Sequence, residues 1–369
     1  MDDVACLQDL ADLPTPALVV AEEILQRNIA AMARFATATK CSLRPHAKTH
    51  KCVEIAKLQI AAGAVGISCA TISELEAMAE AGLPGLLLTA PFGSREAAER
   101  LAALSRRHAF SLVCDHPEQV AVLAACLGPG SRPLPVLIDV DVGQKRTGVT
   151  SPQQAMQVAR AIAAAPNLHF AGLQGFAGQA QHVVGAGQRQ QAAADAAAQL
   201  SDVMAGLREA GFACPLVTGS GTGTAVIDAV VGPYTELQVG SYVFMDADYA
   251  RLEPVGASEF ETSLFVLASV VSCNRPGQVT IDAGTKAFAF NGPAPHVIVN
   301  APAGTQYSFA GDEHGVLQIP AGSAAPKLGS KLLLSATHCD PTVNLYGALN
   351  VWAAGQALRQ WRIVGRHGA

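Results

Sequence analysis

The sequence predicts an α/β fold, a (β/α)8 barrel followed by a C-terminal β-domain, and three observations carry that prediction. Between residue 41 and about residue 242, eight short β-rich runs alternate with helical stretches, the pattern of a parallel sheet wrapped by helices. After Met245 the helical periodicity fades, and β-rich runs recur among Gly and Pro turns. The length of 369 residues suits one large α/β domain with a smaller second one.

In chain order, an apolar run at 17–20 precedes a helix with Leu25, Ile29 and Met32 on one face. That run is surplus to a barrel and is expected to pair elsewhere. The eight barrel runs fall at 41–45, 64–69, 85–90, 110–114, 135–140, 169–174, 214–218 and 235–240. Before the seventh, residues 188–210 place Leu200, Val203, Met204 and Leu207 at i, i+3, i+4 and i+7 and end at Gly211, which reads as a helix with a glycine cap. Eight such units match a closed barrel better than an open doubly wound sheet, whose usual orders run to about five or six strands. Runs at 264–271, 278–282, 296–299, 331–335 and 357–364 build the β-domain. The expected division is a barrel over 21–245, with 1–20 and 246–369 in the β-domain.

Composition removes several classes of function. Half the residues are hydrophobic and 15% are charged, with mean hydropathy +0.27, which excludes disorder. Lys plus Arg number 25 against 30 Asp plus Glu, so there is no bulk positive field and no nucleic-acid partner is expected. The longest apolar run, 120–127, is far shorter than the roughly 18 residues that cross a bilayer, so no membrane partner is expected either. The acidic opening MDDVACLQDLADL lacks the basic start of an export signal, and nine cysteines without a CxxC pair read as reduced thiols. Both point to the cytoplasm.

Chemistry in a barrel sits on the loops that follow the strands. The first such loop is Arg44-Pro45-His46-Ala47-Lys48-Thr49-His50-Lys51, a cluster of basic and titratable groups in a chain poor in charge. Neighbouring positive charge would expose the free amine that imine chemistry needs, although a solvated basic turn has the same composition. After the fifth run, Arg146 is expected at the barrel mouth or on the surface. After the seventh, Thr218-Gly219-Ser220-Gly221-Thr222-Gly223-Thr224 has the glycines to close backbone N–H groups on a phosphate, or to make a tight packing turn; it has no Lys for a nucleotide P-loop.

In the β-domain, if the strand continues through Thr337-His338-Cys339-Asp340, His338 and Asp340 face the same side and could hold a divalent metal. A polar turn is the alternative. Asp312-Glu313-His314 could be a turn or could support that metal.

Together these motifs resemble the fold type III pyridoxal phosphate enzymes, whose barrel is of the alanine racemase N-terminal kind, and in particular the group of D-threonine aldolase, D-3-hydroxyaspartate aldolase and D-serine dehydratase. The resemblance runs from Thr15-Pro16-Ala17 to the last strand. Its most specific signature, R-P-H-x-K-x-H-K, fits residues 44–51 without a gap and implies that Lys48, not Lys51, forms the imine with pyridoxal 5'-phosphate. It further implies Arg146 near the phenolic oxygen and a phosphate cradle from Thr218, Gly219, Ser220, Gly221 and Thr222 together with Gly240, Ser241 and Tyr242. By the same resemblance His182 is the catalytic base, and His338 and Asp340 bind Mn, Mg, Co or Zn.

The chain departs from the pattern at Ala70, where the aldolases often carry Gln, and at Phe176-Ala177, where they often carry Tyr-His. Phe176 cannot hydrogen-bond the pyridine nitrogen, and Ala70 leaves room beside the cofactor. The implied activity is cleavage of D-β-hydroxy-α-amino acids to glycine and an aldehyde by a homodimer acting on a small amino-acid substrate. A D-serine or D-3-hydroxyaspartate dehydratase is the nearest rival, but those tend to have Cys two residues after the metal His, where this chain has Asp340. A racemase needs a second base that is not identifiable. A non-catalytic pyridoxal phosphate carrier would lack the β-domain.

Overall fold

The computed structural model describes residues 7–256 and 260–366. Parts of the expected β-domain, residues 1–6 with Cys6, 257–259 and 367–369, lie outside the described residues. Strand β1 (Ala17–Ala21) leads into helix α1 (Glu22–Thr39), whose apolar stripe, including Leu25, Ile29 and Met32, is buried.

The barrel strands are β2 (Ser42–Leu43), β3 (Ser68–Cys69), β4 (Leu86–Leu88), β5 (Phe110–Cys114), β6 (Leu134–Asp139), β7 (Leu168–Gly175), β8 (Leu216–Gly219) and β9 (Glu236–Leu237). They pair in parallel in the order β2-β9-β8-β7-β6-β5-β4-β3. A parallel bridge between His46 and Ser68, with the Ser68 N–H donating to the Pro45 carbonyl, joins the two ends and closes the barrel. Every one of the eight expected runs overlaps one of these strands. The expected helix at 188–210 is α2 (Ala186–Glu209); Leu200, Val203 and Leu207 are buried, and Gly211 leaves it at φ +87°, a left-handed position that favours glycine.

The second sheet is the β-domain, built from β10 (Leu264–Ser272), β11 (Gln278–Ile281), β12 (Val297–Val299), β13 (Gln306–Phe309), β14 (Gly315–Gln318), β15 (Lys331–Ser335), β16 (Ala348–Trp352) and β17 (Arg359–Arg362). The surplus strand β1 belongs here. It lies between β10, antiparallel with Ala17 opposite Leu267, and β16, parallel with Val19 opposite Asn350. The chain therefore starts in the second sheet, builds the barrel and returns. Among the described residues no helix is long and apolar enough to cross a membrane.

One expectation about local structure fails. Residues 338–340 do not continue β15. The strand stops at Ser335, and His338 is the N-cap of a short helix, Cys339–Asn344. Asp340-Pro341 in the first turn suits a helix start and not a strand, because proline's missing N–H costs nothing there and the carboxylate complements the helix dipole. His338 and Asp340 are brought near each other by a turn instead of by strand alternation.

Candidate active site

The mouth of the barrel opens into a cleft of about 320 Å³ lined by His46, Lys48, Ala70, Thr89, Arg146, Phe176, Gln174 and Gln238, among others. A larger hollow of about 490 Å³ at residues 300–330 gathers no comparable set of convergent polar groups, so chemistry and not volume identifies the site. Beneath the cleft runs a buried chain of hydrogen bonds. Thr147 Oγ1 and Gln174 Nε2 donate to the two oxygens of Asp139 at 2.7 and 2.8 Å, Gln238 donates to Gln174 and Thr218, and Thr218 donates to Glu236 at 2.8 Å. Burial pushes the Asp139 carboxyl up to about 6 despite its two donors.

The basic loop turns out not to be a cluster of free cations. Arg44 forks onto Glu236 at 2.8 Å through two nitrogens. Lys51 Nζ sits 2.5 Å from Glu74, whose side chain is 1% exposed, and also donates to the Gly365 carbonyl. Burial, with Lys48 adding to it, drives His46 well below its ordinary value, and burial brings His50 down to about 4, in keeping with the Cys52 N–H that donates to its Nδ1. Cation crowding is therefore absent around Lys48. What singles Lys48 out is position: on a 3-10 turn (Ala47–Thr49) it lies 5.5 Å from the centre of the Phe176 ring, with Nζ 3.4 Å from Asp340 Oδ2.

The glycine-rich loop has two separable features. Gly221 and Gly223 press against Gln181, where a Cβ would fall 2.5 and 2.2 Å from its atoms, so packing alone demands glycine at both. Ser220, in contrast, holds φ +69°, a left-handed backbone unusual for serine, and its buried Oγ lies near the Asp228 carboxylate without an aligned hydrogen bond. Among the described residues the backbone N–H groups of Gly221, Gly240 and Ser241 likewise have no acceptor. Thr222 Oγ1 accepts from the Tyr242 N–H, tying the loop to the 240–242 segment. A hydroxyl and several N–H groups left unsatisfied around one spot fit a phosphate.

Gln181 also binds this loop to the segment carrying His182. Its amide donates to Thr224 and accepts from the Gly223 N–H. The His182 ring packs at 5.6 Å, centre to centre, from the His338 ring, and its Nδ1 lies 2.7 Å from Asp248 Oδ2. Burial holds His182 below its ordinary pKa, although Asp248 acts the other way. His338 touches Asn291 through Nδ1 at 3.1 Å, so Nε2 is the ring nitrogen open to a ligand. Burial tends to raise the Asp340 carboxyl, but Lys48 and His338 outweigh it and hold the group down to about 2.

Asp340 is thus an ionised oxygen donor beside an imidazole, a fitting pair for a divalent ion that keeps most of its positions for water and substrate. Among the described residues no cluster of three or more His, Cys, Asp or Glu side chains is arranged as a metal site, so two protein ligands is the limit. The Asp312-Glu313-His314 knot is an exposed hairpin tip, bound to Thr285 and Lys286 rather than to His338 or Asp340.

The sequence did not point to two residues that organise this site. Asp246 Oδ1 accepts from the Asp248 and Tyr249 N–H groups while Oδ2 accepts from the Cys339 N–H, so one buried carboxylate holds both the Asp248 helix and the His338–Asp340 turn. Two carboxylates at 246 and 248, just past the last barrel strand of a charge-poor chain, were the available signal.

The family model described as alanine racemase, N-terminal domain, matches residues 20–248, and the putative serine dehydratase domain matches residues 263–352. A D-threonine aldolase from Arthrobacter sp. is 38% identical over 97% of this chain and 94% of its own. A 3-hydroxy-D-aspartate aldolase from Paracoccus denitrificans is 36% identical over 92% and 88%. Among solved structures, D-threonine aldolase from Filomicrobium marinum superposes with TM-score 0.91 at 38% identity, covering 96% of each chain. A D-threo-3-hydroxyaspartate dehydratase from Delftia sp. HT23 is more distant, with TM-score 0.87 at 27% identity over 96% and 98%.

Proposed function

The chain belongs to the fold type III pyridoxal phosphate enzymes, and from that premise we propose that it is an aldolase that cleaves D-β-hydroxy-α-amino acids, D-threonine among them, to glycine and an aldehyde with the help of a divalent metal. The observation that carries the reading is the meeting of a barrel lysine with a β-domain imidazole and carboxylate: Lys48 Nζ lies 3.4 Å from Asp340, and His338 packs against His182. Aspartate two residues after His338 favours the aldolase over the dehydratase, in keeping with the lower identity to the dehydratase.

Pyridoxal phosphate, when bound, supplies the electron sink for the Cα–Cβ bond, and a divalent ion supplies Lewis acidity at the β-hydroxyl. Lys48 would hold the cofactor covalently. Ser220, Gly221, Thr222, Gly240, Ser241 and Tyr242, with Thr218 and Gly219 at the start of the loop, would hold its phosphate. Arg146 and Phe176 would flank its ring, Arg146 presenting a donor and Phe176 an apolar edge. His338 and Asp340 would hold the ion, with Mn, Mg, Co and Zn all compatible with one nitrogen and one oxygen donor. His182, kept neutral by burial, takes the proton of the β-hydroxyl.

All eight described cysteines are unpaired and six are buried, which suits a reducing cytoplasm. The homodimer rests on the resemblance, and light scattering near twice 38.0 kDa would support it.

The test is to incubate holoenzyme and Mn with D-threonine and with D-phenylserine. Release of acetaldehyde or benzaldehyde with equimolar glycine is the expected result. An α-keto acid and ammonia in their place would establish the dehydratase, and no turnover of any D-β-hydroxy amino acid would defeat the proposal.

A further inference from the structure

We propose that Asp248 is a positioning residue that fixes the tautomer of His182, taking the Nδ1 proton so that Nε2 is the nitrogen left to accept a proton from substrate; this rests on the reading of His182 as the base. The geometry supplies the argument. His182 Nδ1 is buried and makes no aligned hydrogen bond, and Asp248 Oδ2 stands 2.7 Å from it, too close for two lone pairs to face each other, so the ring nitrogen on that side must carry the hydrogen. The other Asp248 oxygen lies 2.6 Å from an Arg251 guanidinium nitrogen, which opposes rotation of the carboxylate away from the ring.

Its backbone is fixed as well. The Asp248 N–H is capped by Asp246, the same carboxylate that accepts from Cys339 at 2.7 Å. The position of Asp248 is therefore referenced directly to the turn that carries His338 and Asp340. A carboxylate can only accept at Nδ1, so one tautomer is enforced. In the other tautomer Nε2 would already carry a hydrogen and His182 could not act as a base.

The experiment compares wild-type holoenzyme with Asp248→Asn and Asp248→Ala. Nitrogen-15 spectra of histidine-labelled protein read the tautomer, and steady-state kinetics with D-threonine and Mn read its consequence. In the wild type His182 should be protonated at Nδ1. Asn can turn its amide nitrogen toward Nδ1 and force the proton to Nε2, so kcat should fall on the order of 10²-fold or more, with KM and the visible cofactor band little changed. Ala leaves Nδ1 to water and both tautomers accessible, so it should lose less than Asn, the reverse of the order expected if Asp248 served only packing.

Wild-type His182 protonated at Nε2 would overturn the proposal whatever the variants do. So would a folded Asp248→Asn enzyme with wild-type kcat. If the wild type itself releases no aldehyde, the aldolase reading fails, and the spectra still decide whether Asp248 sets the tautomer.

Discussion

Lys48 and Lys51 are three residues apart in one loop, and the structure assigns them opposite sensitivities. The Lys48 side chain is 39% exposed and its contact with Asp340 is 3.4 Å long, so Lys48→Ala should cost no more than about 1 kcal/mol of stability. Lys51→Met strips the partner from a Glu74 carboxylate whose side chain is 1% exposed; breaking a buried pair in this way costs about 3–5 kcal/mol. At roughly 2–4 °C per kcal/mol for a large domain, the apparent melting temperature should drop by about 10 °C.

The assay is a visible spectrum after gel filtration to remove free cofactor, paired with a thermal melt. Lys48→Ala should lose the bound-cofactor band and keep the melting temperature of the wild-type apoenzyme. Lys51→Met should keep the band and melt early, and adding Glu74→Leu should recover most of the loss, since an apolar pair replaces the orphaned charge. Retention of the band in Lys48→Ala, or its loss in Lys51→Met without a shift in melting, would refute the assignment of the two lysines.

Three further outcomes are expected. Phe176→Tyr should change kcat more than cofactor retention, because a hydroxyl added beside the cofactor's ring alters its electronics while the phosphate contacts stay in place; comparison of turnover with the cofactor dissociation constant checks this. Chelation, or Asp340→Ala, should abolish aldehyde release while the bound-cofactor band persists, and added Mn or Co should restore the chelated wild type far better than the variant; full activity after exhaustive chelation would end the metal-assisted reading. Asp139 titrates near 6 when folded and near the ordinary carboxylate value when unfolded, so the unfolded chain binds fewer protons between these values and stability should fall as pH rises from about 4 to 6, by about 3 kcal/mol. Urea titrations across that range should show the fall reduced in Asp139→Asn by this amount.

Much of the barrel and part of the β-domain were legible because these strands carry their own local signature. Runs such as 110–114 and 331–335 coincide with Phe110–Cys114 and Lys331–Ser335, since an apolar stretch bounded by turns has few alternatives in a folded domain. The strands at 306–309, 315–318 and 348–352 were not singled out. The first two are short and mixed in polarity, and 315–318 and 348–352 each pair with a strand far away in sequence, as when Gln318 faces Gln278 and Asn350 faces Val19. The basic loop was legible in composition but not in electrostatics. Nothing local in residues 44–51 indicates that Glu236 takes Arg44 and Glu74 takes Lys51, leaving Lys48 as the amine at the cleft.

The His338–Asp340 pair was expected from the wrong local geometry, and the reason bears on how the site is assembled. Strand alternation would have fixed the pair within the β-domain alone. A helix turn instead needs its first N–H groups satisfied, and Cys339 finds its acceptor in Asp246, at the end of the barrel segment. The same region is strapped a second time where the Val364 N–H donates to the Lys51 carbonyl and Lys51 Nζ reaches Gly365. The His338–Asp340 pair is therefore positioned by the barrel as much as by the sheet from which it emerges. A β-domain expressed without residues 21–248 would lack both the acceptor that starts its helix and the lysine that holds the Asp340 carboxyl down to about 2, and should bind Mn far more weakly than the full chain when titrated by calorimetry.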